Sequence, residues 1–223
     1  ETFMFKKLPE IVDYIRSKNN GIIISVSTNA HLPISVKMAE DLADKIDTIQ
    51  VSIDGIGKVY EKVRLKSDYS FFYENMLQTI EACRGKRATV MFNFVAIKEN
   101  YHDMADVVEL AGKLGVKYVN ITPFNVASVT IHDKTYYDFF QTAEFKSELK
   151  RAKAMSKNYP EIEFTTWDIE VPKGFRKCDL VWSHFYVSWD GYATPCCAKP
   201  FPKELNFGSI FDDGLMRCLN NKD

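Results

Sequence analysis

The sequence predicts an α/β protein, a partial parallel (β/α) barrel followed by a small cysteine-containing β-hairpin extension. Three observations carry that expectation. Short apolar segments alternate with amphipathic helical segments five times, the signature of β–α units on a parallel sheet. The strand segments read as near-continuous apolar runs without a polar face, as expected of strands covered by helices. No glycine-rich phosphate loop follows the first strand, where a doubly wound sheet would offer one, so a barrel or partial barrel is favoured. A composition shift after about residue 166, where aromatics, prolines and cysteines concentrate, divides the chain into a core at 1–166 and an extension at 167–223.

Each element has a local reason. Leu8, Ile11, Val12 and Ile15 form an apolar stripe at helical spacing, and Asn19-Asn20-Gly21 closes that helix. Ile22 to Thr28 reads as a buried strand. A helix over Ile34–Ala43 follows, with Pro33 near its start. Thr48 to Ile53 is the next strand and ends at Asp54-Gly55. A helix from Phe71 to Cys83 leads to the strand Ala88–Ala96. Asn100 is a candidate N-cap for a helix reaching Leu114, with Gly115 as its stop. Val116 to Ile121 is a strand ended by Pro123. A polar-aromatic connection then reaches a helix over Thr142–Asn158 and the strand Glu161–Thr166.

Bulk properties exclude several function classes. The chain has 223 residues, 46% hydrophobic, with 29 basic against 30 acidic residues and a net charge of −1. That balance argues against a nucleic-acid partner. No apolar run reaches membrane-span length. Five cysteines, an odd and uneven set, do not form a disulfide framework and suit a reducing, cytoplasmic location. The sequon Asn120-Ile121-Thr122 falls in an expected strand and is discounted.

Two regions carry candidate chemistry. Polar residues gather where the strands end: Thr28, Asn29 and His31, then Ser52 and Asp54, Lys98 and Asn100, Thr122 and Asn125. Ligands of parallel β/α folds bind at that end. The second region runs from Cys178 to Cys196-Cys197, with Asp190-Gly191 between apolar runs as a hairpin-turn signal. Folding that hairpin brings Cys178 toward Cys196 and Cys197, a way to hold zinc or an iron–sulfur cluster. Buried packing is the alternative for such thiols, and is the reading for Cys83 and Cys218. The aromatic tract Tyr136-Tyr137-Asp138-Phe139-Phe140 is read as helix–sheet packing, with a substrate channel as the alternative.

Taken in order, these pieces resemble the radical S-adenosylmethionine (SAM) enzymes that carry a C-terminal SPASM or twitch extension. Ser27-Thr28-Asn29-Ala30 is similar to the family's Thr-Asn-Gly, and Val51-Ser52-Ile53-Asp54-Gly55 to its Ser-Ile/Leu-Asp-Gly. Tyr60 and Arg64 stand as in His-Asp-x-x-Arg, and Asn93 and Asn100 match asparagines of the fifth strand and the following helix. Cys178, Gly191, Cys196 and Phe207-Gly208-Ser209-Ile210 resemble the opening of the extension. The resemblance covers about residues 20 to 215. It departs from the family in lacking a Cys-x-x-x-Cys-x-x-Cys loop, and in having only Cys218 after the Gly-Ser-Ile segment. The resemblance implies that the loop binding the catalytic [4Fe–4S] cluster lies outside this sequence, with Glu1 as the glutamate of a Gly-Gly-Glu motif.

The resemblance implies a set of roles. Glu1 would accept a hydrogen bond from the SAM amino group, and Ser52 and Arg64 would hold its carboxylate. Thr28, Asn29, Asp54 and Asn93 would serve the ribose, the methionyl moiety or the surrounding support, and Thr122 the adenine. Cys178 and Cys196 would bind an auxiliary iron–sulfur cluster, with Cys197 able to substitute. The intact protein would cleave SAM reductively to a 5′-deoxyadenosyl radical that abstracts hydrogen from a peptide or small-molecule substrate. A low-potential donor such as a flavodoxin or ferredoxin would supply the electron. Two alternatives stay open: a non-catalytic partial barrel binding a nucleoside-like ligand or a partner, and a β/α barrel enzyme with a structural zinc site.

Overall fold

The structure, a computed structural model, describes residues 1–124, 138–166, 183–197 and 201–220. They fall into two units, 1–124 with 138–166 and 183–197 with 201–220.

The first unit is built on five parallel strands: β1 (Ser25–Thr28), β2 (Thr48–Ser52), β3 (Thr89–Ala96), β4 (Tyr118–Pro123) and β5 (Glu163–Thr166). Their order across the sheet is their order in the chain. Right-handed crossovers that always step the same way put the connecting helices on one face, as in barrels and unlike doubly wound sheets. Those helices are α1 (Leu8–Lys18), α2 (Ile34–Leu42), α3 (Lys58–Val63), α4 (Tyr69–Cys83), α5 (Met104–Leu114) and α6 (Ala143–Ser156). Asp68 caps α4 by accepting from the Phe71 N–H, and Thr142 caps α6 by accepting from the Phe145 N–H, each worth about 1 kcal/mol. Gly115 ends α5 as expected.

One-sided coverage corrects the expectation of strands without a polar face. Burial alternates along β2, β3 and most of β4. Val26, Ile49, Val51, Val90, Phe92, Phe94, Val119 and Ile121 are buried, as are Met38, Leu42, Phe72, Met76, Val107, Val108 and Phe145 from the helices. Burying each large side chain contributes about 1.5–3 kcal/mol. The opposite face carries Ser27, Gln50, Ser52, Asn93, Asn120 and Thr165, all partly or fully exposed. Its polar groups pair across strands: Ser27 Oγ donates to Gln50 Oε1 (3.3 Å), Asn120 Nδ2 to Asn93 Oδ1 (2.7 Å) and Thr165 Oγ1 to Asn120 Oδ1 (3.0 Å). With no described helix over this face, nothing in the described residues requires it to be apolar.

Two further expectations shift. Ile22 and Ile23 lie ahead of β1 and are 43% and 79% exposed, because Arg16 of α1 takes the carbonyls of Asn20 and Ile22. Asn100 does not cap a helix through its side chain; its amide bridges loops, as described below.

Arg16 also ties together the amino ends of the strands. Its Nε donates to the Lys45 carbonyl (2.6 Å) and its Nη2 to Asp47 Oδ2 (2.6 Å). Asp47 additionally accepts from the Ile24 N–H (2.8 Å) and from Arg87 Nε (2.9 Å). One carboxylate thus joins α1 and the lead-ins of β1, β2 and β3. Partial burial raises the Asp47 pKa, but the Ile24 N–H and the two guanidinium groups outweigh it and hold the carboxyl below its usual range.

In the second unit, β6 (Tyr186–Val187) and β7 (Ala193–Thr194) form an antiparallel hairpin. Residues 207–210 line up beside β7, with the Ala193 N–H donating to the Gly208 carbonyl (3.0 Å) and the Phe207 N–H to the Ala193 carbonyl (2.8 Å). The expected turn is present: Gly191 has φ +87°, and a Cβ there would lie 2.3 Å from the Phe211 ring. Only glycine satisfies both conditions. Helix α7 (Leu215–Leu219) buries Cys218, which is 2% exposed.

Asp47→Ala is expected to cost about 2–4 kcal/mol, since charged hydrogen bonds are lost and Arg16 is left unpaired. Because the folded carboxyl is held low, its stabilisation is complete above the unfolded carboxylate pKa of about 4 and fades as pH falls through the folded value. Urea unfolding at pH 7 and pH 3 should therefore show a smaller acid loss for Asp47→Asn than for the parent. Equal losses would refute the assignment.

Candidate functional site

The carboxyl ends of β1 to β4 carry three polar clusters. At β1, Glu1 reaches back onto the strand end. Its Oε1 accepts from Thr28 Oγ1 (2.8 Å) and the Phe3 N–H (3.2 Å), and its Oε2 from the Asn29 N–H (2.8 Å). Phe3, fully buried, anchors this terminal turn. Thr28 is 2% exposed, and its hydroxyl also accepts from the Ala30 N–H (3.0 Å). Its oxygen is therefore committed to the loop. Asn29 Oδ1 accepts from the His31 N–H (2.9 Å), which leaves its amide nitrogen as the spare group.

The second cluster centres on Asp54. Oδ2 accepts from Arg64 Nε (2.9 Å) and Nη2 (2.6 Å), and Oδ1 from the Val95 N–H (3.0 Å). The aspartate binds the end of β3 to the loop after β2 and also aims the guanidinium, which a planar fork makes a specific arrangement. Asn100, fully buried, completes it. Nδ2 donates to the carbonyls of Asp54 (3.1 Å) and Val95 (2.9 Å), while Oδ1 accepts from the Ile97 N–H (2.7 Å). Nearby, Asp103 Oδ2 accepts from the Ile56 N–H (2.8 Å), and burial pushes its carboxyl up.

The third cluster lies on the open face of the sheet. Ser52 stands opposite Asn93, and Asn93 opposite Asn120. Asn93 and Asn120 are paired; the Ser52 hydroxyl has no partner among the described residues. Thr122, opposite Val95, is 9% exposed. The expected residues of the core thus collect at one end of the sheet, Asp54 with Arg64, Glu1 with Thr28 and Asn29, and Ser52 with Asn93. Asn120 was read only as a discounted sequon; its spacing two residues before Thr122 in a strand was the available signal that it shares the open face.

The cysteines divide by exposure. Cys178 lies outside the described residues, as do Asn125, His132, Tyr136 and Tyr137. Cys83 is 7% exposed and burial pushes its thiol to about 11, which agrees with packing. Cys196 and Cys197 follow β7 as free thiols, the first half-buried and the second exposed. Among the described residues, no three His, Cys, Asp or Glu side chains cluster tightly enough to hold a metal ion. Cys196 and Cys197 fit part of a thiolate donor set, and the rest must come from elsewhere. Phe139 and Phe140 pack against Phe145, and Phe139 against Tyr101, the packing reading of the aromatic tract.

Asn100→Ala removes three buried hydrogen bonds and is expected to cost about 2–4 kcal/mol. Asp54→Asn keeps the shape but withdraws the counter-charge from Arg64, at about 1–3 kcal/mol. Chemical denaturation of both variants checks this, and a loss below about 0.5 kcal/mol for Asn100→Ala, the level of an ordinary surface change, would contradict the bridging role.

Residues 178–223 match the family described as SPASM, an iron–sulfur cluster-binding domain. No curated protein matches the sequence. Among solved structures, SuiB of Streptococcus suis bound to precursor peptide SuiA matches with a TM-score of 0.71 at 15% identity, covering 100% of this chain and 52% of that one. SuiB bound to S-adenosylmethionine matches with a TM-score of 0.66 at 14% identity, and SuiB alone with 0.68 at 13%. The chain spans about half the length of these SuiB structures. At such identities the likeness is one of fold. The family match is confined to residues 178–223, and the whole chain shares its fold with SuiB.

Proposed function

We propose that this chain forms the SAM-holding part of an iron–sulfur enzyme that modifies a peptide. The single observation that carries the reading is Arg64, aimed by Asp54 at the carboxyl end of the sheet, at the same end as a Ser52 hydroxyl with no partner among the described residues. A guanidinium with donors to spare and a free hydroxyl suit the carboxylate of an amino-acid ligand. Glu1, with Oε2 taking one hydrogen bond only, keeps acceptor capacity for an ammonium group. Asn93 and Thr122 extend the polar lining toward the ribose and base, whereas Thr28 and Asp54 act as supports. When bound, SAM and a [4Fe–4S] cluster supply the radical chemistry. This chain's residues bind and orient the methionyl end.

For the extension, Cys196 is the better ligand of the adjacent pair. Cys196 is the less exposed of the two, nearer the interior in which a cluster would be held. We assign it, with Cys178, to an auxiliary cluster and leave Cys197 outside the ligand set. A peptide substrate is supported by the precursor peptide bound to SuiB, which has the same fold. A flavodoxin- or ferredoxin-type donor would provide the electron. The near-neutral charge offers nothing to a nucleic acid, and no described helix is long and apolar enough to cross a membrane. A cytoplasmic location agrees with the cysteine usage.

Equilibrium dialysis with radiolabelled SAM tests the core. Arg64→Ala should weaken binding about 10–100-fold, the worth of one charge-assisted contact. Iron and acid-labile sulfide measured after anaerobic reconstitution test the extension. Cys196→Ser should lower the iron and sulfide content relative to the parent, whereas Cys197→Ser should leave it unchanged. Zinc in place of iron, or SAM affinity unchanged in Arg64→Ala, would overturn the respective assignment.

A further inference from the structure

Strand register places four polar side chains in one row across the open face of the sheet. Ser52 of β2 stands opposite Asn93 of β3, Asn93 opposite Asn120 of β4, and Asn120 opposite Thr165 of β5. Neighbouring strands lie about 4.8 Å apart, so the row crosses the sheet without a gap. Thr165 Oγ1 donates to Asn120 Oδ1 (3.0 Å), and Asn120 Nδ2 donates to Asn93 Oδ1 (2.7 Å). The two bonds form a relay of a single polarity. Every member of the row is partly or fully exposed.

The relay leaves capacity unused. Among the described residues, the Asn93 amide keeps both protons and the Asn120 amide keeps one. A hydroxyl donates or accepts, so Thr165 lets both carboxamides turn together, and the row then offers carbonyl oxygens instead. In either setting its groups are neutral. No charged side chain stands in the row. Asp54, two residues beyond Ser52, is paired with Arg64, and Glu163 ends the row below, opposite Tyr118. That lower row places Met91 opposite Tyr118, two residues back from Asn93 and Asn120 and on the same face. Both are half-exposed, and they put an apolar surface next to the two carboxamides.

This combination is selective. An ion held here would lose hydration without gaining a counter-charge, and a purely apolar ligand would cover amides without pairing them. A neutral group that both donates and accepts, with an apolar substituent beside it, satisfies the row and the adjoining surface together. A peptide group next to an apolar side chain has that chemistry.

We propose that Asn93, Asn120 and Thr165 form a subsite for a main-chain peptide group of the substrate, whose neighbouring apolar side chain lies on Met91 and Tyr118. The subsite rests on the peptide-modifying reading above and names the residues that would hold the peptide. The two amide protons of Asn93 allow it to serve the ribose lining and the peptide at once. Asn120 and Thr165 belong to the peptide alone.

NMR titration of the isotope-labelled chain with Nα-acetyl-leucine methylamide, which carries two peptide groups and one apolar side chain, tests the subsite. The side-chain carboxamide signals of Asn93 and Asn120 should shift saturably. Sodium acetate and methylammonium chloride, which supply an anion and a cation of similar size, should leave them in place. Asn120→Leu and Thr165→Val keep the bulk of side chains that are not buried, and each should weaken binding about 2–10-fold, the worth of a neutral hydrogen bond. Binding unchanged in both variants, or binding that leaves the two carboxamide signals unmoved, would overturn the subsite and leave the peptide reading standing. No peptide binding anywhere on the chain would remove both. Saturable shifts of the same signals by adenosine but not by the peptide mimic would give the row to a nucleoside and overturn the proposal.

Discussion

The Asp54 carboxylate is where structure and chemistry meet in this protein. It accepts the Val95 N–H at the end of β3 and the Arg64 guanidinium at the end of α3, while Asn100 grips its own carbonyl. A carboxylate that is 10% exposed must have its charge compensated, and each of those partners comes from a different segment. The cost of burying the charge therefore enforces one arrangement of the loops. That arrangement leaves the guanidinium half-used and directed to the carboxyl end of the sheet. A neutral residue at position 54 would relax the loops and the arginine together.

At the opposite end of the strands, Asp47 plays a comparable part with Arg16 and Arg87. The two aspartates differ in what they leave over. Asp47 ties helix α1 and three strand lead-ins into a scaffold, with its arginines turned onto backbone carbonyls and itself. Asp54 leaves donors available. Among the described residues, the carboxyl end of the sheet is thus distinguished by incomplete satisfaction of its polar groups: Ser52, the Arg64 Nη1 and the orphan atoms of His31, Tyr60 and Ser67. Pairing that the fold withholds is capacity a ligand can use.

Much of the core was legible because it rests on local rules. The alternation of segments, the Gly115 stop and the Gly191 turn each follow from residue type and spacing. The errors came where long-range contacts decide. Ile22 and Ile23 look like strand but precede it, because Arg16 holds the carbonyl of Ile22. Asn100 looks like a helix cap but serves Asp54, Val95 and Ile97 instead. The polar residues Gln50, Asn93 and Asn120 were hidden within runs that read as apolar, since a period of two is easily masked in strands of five to eight residues.

By itself, the sequence determined the β/α alternation, the absence of a phosphate loop, the cysteine hairpin and the motif order that resembles radical SAM enzymes with a SPASM extension. Those features depend on residue identity and short-range spacing. Only the tertiary structure decided that the helices cover a single face, that Asp54 aims Arg64, and that Thr28 is committed to Glu1. It alone brought Asn29 and His31 of one loop beside Lys66 and Ser67 of another. Hydrogen bonds between residues tens of positions apart have no local signature, because their partners are chosen by strand order and register.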